Sequence, residues 1–399
     1  MFRLTLILAL NMQMAIISYM IYRLTKDELS LGMLGLAEVI PAIGFSLFSG
    51  HFVDGREKRK LLVICSIGYL LLTVFFIGLS LPSLQKGIGI ESIKWLIYLG
   101  IFIGGALRAF LSPSAFSLFG LIIPRRLYVN ATTWSSTAWQ LGAVFGPLLG
   151  GAMIALSDFT ISLVVVLSIE IISLFAILRI PKQQVIQKEK EPILKSLGEG
   201  LRFVFKTQIV LAVLALDMFA VLFGGAVALL PVFADDILKV GEVGYGWLRA
   251  APGIGAILTL LMLSLIPLKT KPGIKLISCI IGFGIVTIFF GLSEWFYLSF
   301  LMLLLGGMFD AVSVVIRGTI LQLYTPDAMR GRVAAVNTMF ISSSNELGAF
   351  ESGVAAKLMG TVTSVVFGGA MTLAVAAVSY WKAPTLKKLD FREAAQKHP

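Results

Sequence analysis

Apolar positions in this chain come in long unbroken runs, separated by short polar stretches, and not at the spacing of amphipathic soluble helices. A bilayer-spanning helix needs about 20 mainly apolar residues, and runs of that order recur twelve times. The first six cover 4–22, 31–50, 60–81, 95–123, 129–156 and 159–180. The second six cover 208–233, 243–267, 273–293, 295–323, 333–358 and 361–381. Lipid offers the backbone no hydrogen-bond partner, so runs of this length must be helices. The pattern predicts an all-α membrane protein with twelve transmembrane helices.

Composition agrees: 57% of the 399 residues are hydrophobic and 14% are charged, which leaves no room for a sizeable soluble domain. Cys65 and Cys279 both fall inside apolar runs, where a thiol behaves as a small buried hydrophobe. His51 and His398 stand too far apart in sequence to suggest a metal site, and no cofactor is expected. The net charge of +11 has its explanation in position. Taking the loops alternately, one side carries 24 Lys and Arg, and the other only Arg23, Lys26, Lys86, Lys94 and Lys239. By the positive-inside rule both termini are cytoplasmic. Basic residues spread over every inner loop also argue against nucleic acid, which needs one concentrated patch. The first run is long and lacks a small-residue cleavage site before Arg23, so it reads as a span and not as a cleaved signal peptide.

The longest inner loop, 181–207, divides the chain into bundles at 1–180 and 208–382, followed by a cytoplasmic tail at 383–399. The second part of that loop, Ile193 to Lys206, mixes apolar and basic residues in the manner of a helix lying on a membrane surface. The two bundles repeat one another. A shift of 202 places Gly104-Gly105 on Gly306-Gly307, Pro124 on Pro326, Gly146 on Gly348 and Gly151 on Gly353. Pro41-Ala42-Ile43-Gly44 likewise matches Pro252-Gly253-Ile254-Gly255. Duplicated bundles with a site near mid-membrane are an architecture of secondary transporters.

Between the second and third runs stands Gly50-His51-Phe52-Val53-Asp54-Gly55-Arg56-Glu57-Lys58-Arg59-Lys60, with six charges in its last seven residues. Gly142-Ala143-Val144-Phe145-Gly146-Pro147-Leu148-Leu149-Gly150-Gly151 places small residues every three or four positions around an embedded Gly-Pro. The first stretch resembles the signature loop of the major facilitator superfamily, with Gly55 in place of its first arginine and Glu57 in place of its second glycine. The second resembles that superfamily's antiporter motif. Thr325-Pro326-Asp327-Ala328-Met329-Arg330-Gly331-Arg332-Val333, with Ser343-Ser344-Asn345-Glu346-Leu347-Gly348 downstream, is similar to the enterobactin exporter and macrolide efflux group. Leu194 to Phe203 resembles the same group, and the likeness spans the chain. The resemblance implies two six-helix bundles related by a pseudo-two-fold axis, in a bacterial-type inner membrane. It also implies a monomeric, proton-coupled exporter of amphipathic small molecules. Gly50, Asp54 and Arg59 would form an inner gate, and Gly142, Gly146, Pro147, Gly150 and Gly151 a close-packed helix seam.

Charges within the spans are costly, about 2.5 to 3.5 kcal/mol each on the insertion scale, and so need a partner or a task. They are Glu38, Arg108, Glu170, Asp217, Arg249, Asp310, Arg317, Glu346 and Glu351, with Lys357 near an outer end. The repeat sets Arg108 against Asp310 and Glu38 against Arg249, opposite charges each time. Glu38 and Arg249 are expected to form an outer gate. Asp217 and Arg108, nearer mid-depth, are expected to couple protons and contact substrate, with Asp310, Asn345 and Glu346 as further candidates. Arg108 resembles the superfamily's fourth-span arginine, although Ser112 stands where a glycine is expected. Glu170 is expected to be structural.

Two other readings compete, one within transport and one from another class. A dedicated exporter of a siderophore-like metabolite would find cations in Arg108 and Arg317 for an anionic cargo. A multi-spanning membrane enzyme would need clustered His or Asp at an interface, and the sequence offers no such cluster. Nor does the chain carry a Gly-x-x-x-x-Gly-Lys-Ser/Thr loop of its own for ATP.

Overall fold

The computed structural model describes residues 1–54, 56–182, 193–265, 271–326, 329–382 and 386. Twelve long helices account for most of them: α1 (Phe2–Thr25), α2 (Glu28–Asp54), α3 (Lys58–Ser80), α4 (Ile90–Ile122), α5 (Tyr128–Leu156), α6 (Phe159–Leu178), α7 (Gln208–Phe223), α8 (Gly241–Leu265), α9 (Pro272–Leu292), α10 (Phe296–Tyr324), α11 (Arg330–Met359) and α12 (Thr361–Lys382). No strand occurs among the described residues. Local chemistry sets the ends. Asp158 caps α6, its Oδ1 accepting the Ile161 amide at 2.7 Å. Pro272 opens α9 without sacrificing a hydrogen bond, and Gly360 at φ 85° closes α11 in a conformation that a side chain would strain.

Eleven of the twelve expected spans are long and apolar enough to cross a membrane, and α11 is the exception. It is a helix of 30 residues, as its run predicts, but Asn337, Thr338, Ser342, Ser343, Ser344, Asn345 and Glu346 make it markedly more polar than its neighbours. The seventh run also departs from expectation. Instead of one helix over 208–233, α7 stops at Phe223, and tight turns follow at Ala226–Leu229 and Leu230–Val232 with a wider π-helical turn at Phe233–Ile237. Gly224 and Gly225 lie at the break, and a Cβ on Gly225 would stand 2.5 Å from the Gly348 carbonyl oxygen of α11. Close backbone approach therefore requires glycine there.

The chain forms two compact units. One comprises Met1–Ile193 with Leu230–Ala250, the other Leu194–Leu229 with Ala251–Pro399. In the first unit α1 is the buried axis, with Met12, Ile16, Ile17, Tyr19, Met20 and Ile21 all fully enclosed. In the second, Val213, Leu216 and Ala220 of α7 pack with Leu276, Ile277 and Ile280 of α9 and with Ile316 and Ile320 of α10. The sequence repeat reappears as packing. Gly105 of α4 abuts Pro41 of α2, and Gly307 of α10 abuts Pro252 of α8. Gly146 of α5 meets Leu8 and Asn11 of α1, and Gly348 of α11 meets Val221 and Leu222 of α7.

The stretch expected to lie on a membrane surface is indeed a helix, Ile193–Lys206, but protein covers part of its apolar face. Val204 is fully buried among Val210, Leu214, Val333 and Val336. Glu199 accepts from Arg332 Nη1 at 2.6 Å. Arg202, Phe205 and Lys206 stay exposed.

Candidate functional site

In the second unit, Asp217 of α7 and Arg317 of α10 form an ion pair. Their side chains are only 7% and 5% exposed, so the pair is almost wholly removed from solvent. Ser313 Oγ lies 3.5 Å from Asp217 Oδ1 on the same side of α10. A small pocket beside the pair is lined by Asp217, Ala220, Val221, Cys279, Phe283 and Asp310, among others. The expected carboxylates Asp217 and Asp310 thus share one recess. The partner of Asp217 is Arg317, about two turns along α10 from Asp310, the position the repeat sets against Arg108. Desolvating two charges costs several kcal/mol per ion, about, and loss of either partner leaves the other uncompensated.

In the first unit Arg108 Nη1 instead pairs with Glu38 Oε1. This joins α4 to α2 beside the Gly105–Pro41 seam. Arg249, expected opposite Glu38, donates to the Tyr245 hydroxyl at 3.3 Å. Asn345 is exposed on α11 and Glu346 is half-buried next to it.

The expected inner-gate loop is described in part. The side chains of Gly50 and Asp54 lie outside the described residues. Arg59 donates to the Leu178 carbonyl at 2.8 Å, placing its charge at the C-terminus of α6, where the helix dipole favours a cation. Lys58 Nζ reaches the Val53 and Arg56 carbonyls at the end of α2.

The Gly-Pro motif of α5 is a contact surface along its length. A Cβ on Gly142 would sit 2.6 Å from Ile7 Cγ2, and one on Gly146 would sit 2.7 Å from Asn11 Cβ. At Gly150 the nearest atom is the Met12 carbonyl oxygen at 3.4 Å. Gly151 turns to α8, meeting Glu242 and Gly246, while Gly246 lies against the Pro147 carbonyl. The motif therefore packs α5 onto α1 and onto the start of α8. Met12 and Met20 are fully buried, so they pack within the unit and do not line an open cavity.

One cluster was not singled out from the sequence. At the Thr25 end of α1, Arg23 pairs with Asp235 at 3.2 Å and with Glu242, and Lys26 pairs with Asp235 at 2.7 Å. Tyr19 donates to Asp235 Oδ1 at 2.5 Å, and Tyr22 donates to Asp236. The same cations lie over aromatic faces, Arg23 5.3 Å from the Tyr19 ring and Lys26 4.8 Å from the Tyr22 ring. The Asp235 carboxylate holds the Lys26 ammonium above its ordinary pKa. The available signal was Asp235-Asp236 in a chain poor in acids, 200 residues and more from the cations it meets.

The family model described as Major Facilitator Superfamily matches residues 3–349. Enterobactin exporter EntS of Escherichia coli O1:K1 / APEC is 25% identical over 328 residues, covering 81% of this chain and 76% of the relative. The protein of the same name from Shigella boydii serotype 18 is 26% identical over 329 residues, with the same coverage. Among solved structures, the inward-open xylose transporter XylE from E. coli aligns with a TM-score of 0.72 at 14% identity, over 100% of this chain and 98% of that one. A POT family transporter in complex with 5-aminolevulinic acid aligns at 0.73 and 12%, over 97% and 96%.

Proposed function

The chain belongs to the Major Facilitator Superfamily, and from that premise we propose that it is a monomeric, proton-coupled exporter of amphipathic small molecules. It works by alternating access in a bacterial inner membrane with both termini cytoplasmic. The distribution of Lys and Arg, 24 on one side and five on the other, supports that orientation.

The observation that carries the coupling is the enclosed Asp217–Arg317 pair beside the recess that Asp310 also lines. A proton arriving on Asp217 removes the charge that holds Arg317. An anionic or strongly hydrogen-bonding group of a substrate removes Arg317 from Asp217 and leaves the carboxylate in need of a proton. Each event favours the other, which links proton and cargo at one place.

The cluster of Tyr19, Tyr22, Arg23 and Lys26 with Asp235, Asp236 and Glu242 serves as the outer latch. The segment it holds, Leu230–Ala250, is bounded by the Gly224-Gly225 break on one side and by Pro252 on the other. Both are places where a helix axis turns at low cost. The Gly-Pro seam of α5 seals the same segment through Gly151 and Gly246.

A dedicated exporter of a siderophore-like metabolite is the second reading. It is favoured by the 25% identity to enterobactin exporters across 81% of the chain, and by the cations Arg108 and Arg317.

Everted vesicles acidified by respiration separate these readings. Cationic drugs, macrolides and catecholates are added in turn while the proton gradient is followed. Dissipation by one class, abolished in Asp217→Asn, is the expected result. A gradient unmoved by every compound defeats the antiport reading, and dissipation that survives in Asp217→Asn moves the coupling site elsewhere.

A further inference from the structure

Glu170 stands near the middle of α6, 2% exposed, on a helix whose remaining residues are apolar or hydroxylic. It has no ion-pair partner among the described residues. The helices packed on α6 are α1, α3 and α5. On α3, Arg59 is committed to the Ile177 and Leu178 carbonyls at the end of α6, Tyr69 donates to the Gly104 carbonyl at 2.9 Å, and Cys65 is buried. On α1, Tyr19 lies against Phe159 at the opposite end of α6, and Arg3 is exposed beside the Phe2 carbonyl that accepts from Ser173. The span of α5 carries no Lys, Arg, Asp or Glu.

The Thr73 hydroxyl is the one hydrogen-bond partner of Glu170, 2.7 Å from its Oε2, and Oε1 has none. Thr73 Oγ1 has three polar neighbours in all. The Gln13 amide nitrogen lies at 2.8 Å and the Tyr69 carbonyl oxygen at 3.1 Å. A hydroxyl has one hydrogen to give and two lone pairs to receive with. Gln13 takes one lone pair. The Tyr69 carbonyl can only accept, so it claims the hydrogen. The remaining lone pair then faces Glu170 Oε2, and a bond forms there only if that oxygen carries a proton. With the proton in place all three contacts are hydrogen bonds. Without it, Thr73 must choose between Tyr69 and Glu170, and a buried negative charge is left with a single hydrogen bond and no cation, a costly arrangement.

We infer that Glu170 is a proton-binding site, occupied in this structure, with the acid hydrogen on Oε2 donated to Thr73 and with Gln13 completing the chain. The ligand is one proton. The site ties protonation to the packing of α1, α3 and α6, because loss of the proton turns the Thr73 hydroxyl away from α3's own backbone and toward α6. It stands apart from Asp217 and Asp310, which belong to the other unit, and does not depend on the proposed export activity.

Infrared difference spectroscopy of the purified full-length protein in lipid nanodiscs tests it. At neutral pH, wild type minus Glu170→Gln should show one carboxylic-acid carbonyl band that the variant lacks. Thr73→Val, which removes the acceptor, should shift that band to higher wavenumber. A lost carboxylate band in place of an acid band, or no lost band at all, overturns the proposal. Should Glu170→Gln fail to yield folded protein, Thr73→Val decides alone, and an acid-carbonyl region identical to wild type counts against the site. A second readout is thermal stability. A group that binds its proton in the folded state and releases it on unfolding contributes stability that is lost as pH rises. Wild type should therefore lose more stability than Glu170→Gln between mildly acidic and mildly alkaline pH, and equal losses overturn the inference.

Discussion

Asp217 and Glu170 are both carboxylic acids at membrane depth, buried to a similar degree, and the two units treat them in opposite ways. Asp217 faces Arg317. Glu170 faces a hydroxyl that is itself engaged by an amide and a carbonyl. An acid with a guanidinium partner keeps its charge and transfers the cost of burial to the pair. An acid with only a hydroxyl partner is tolerable when neutral. The partner, and not the depth, decides which acid is buried as an ion and which as a neutral group.

Removing partners sharpens the contrast. Arg317→Ala should have the largest effect, about 3 to 5 kcal/mol of lost stability, because it strands the Asp217 charge. Adding Asp217→Asn to it should restore much of that loss in thermal unfolding. If the double variant is no more stable than the single one, the pair is not the reason.

Next in size is the seam of α5. Gly146→Leu drives a side chain into Asn11 and the Leu8 carbonyl, and overpacking of this kind costs about 1 to 3 kcal/mol. Gly44→Leu, where nothing stands within 4 Å of the new Cβ, is the control and should be near neutral by the same measurement.

Glu170→Gln should cost no more than about 1 kcal/mol, since the amide keeps the shape of the neutral acid and can donate to Thr73. A destabilisation as large as that of Arg317→Ala would erase the distinction drawn above.

The smallest effect on stability belongs to the α1 latch. Arg23 and Lys26 are 42% and 50% exposed, and exposed pairs contribute about 0 to 1 kcal/mol. Arg23→Glu should leave unfolding nearly unchanged while slowing transport. An Arg23→Cys and Glu242→Cys pair should cross-link and block transport until reduced. Undiminished transport by the cross-linked protein removes the latch.

Much of this was legible in the sequence. The apolar runs predicted the helices, because lipid leaves a backbone no other way to satisfy its hydrogen bonds. The sequence repeat matched Gly105 with Gly307 and Pro41 with Pro252, and the structure packs each glycine against the proline of its own half. The Gly-Pro motif foretold a packed seam. Less legible was the break at Gly224-Gly225, for a run of apolar residues reads the same whether its helix continues or turns.

What the sequence by itself determined was therefore the list of helices, their repeat, and the set of charges that had to find partners. Tertiary structure alone decided who those partners are. Aligning the repeats suggested Glu38 with Arg249, and Arg108 with Asp310. The structure joins Glu38 to Arg108, Asp217 to Arg317, and Arg249 to Tyr245. The physical reason is that hydropathy is a property of each segment, read residue by residue, whereas an ion pair depends on the rotation and height of two helices. Those are set by the side chains packed between them, often at positions more than a hundred residues apart.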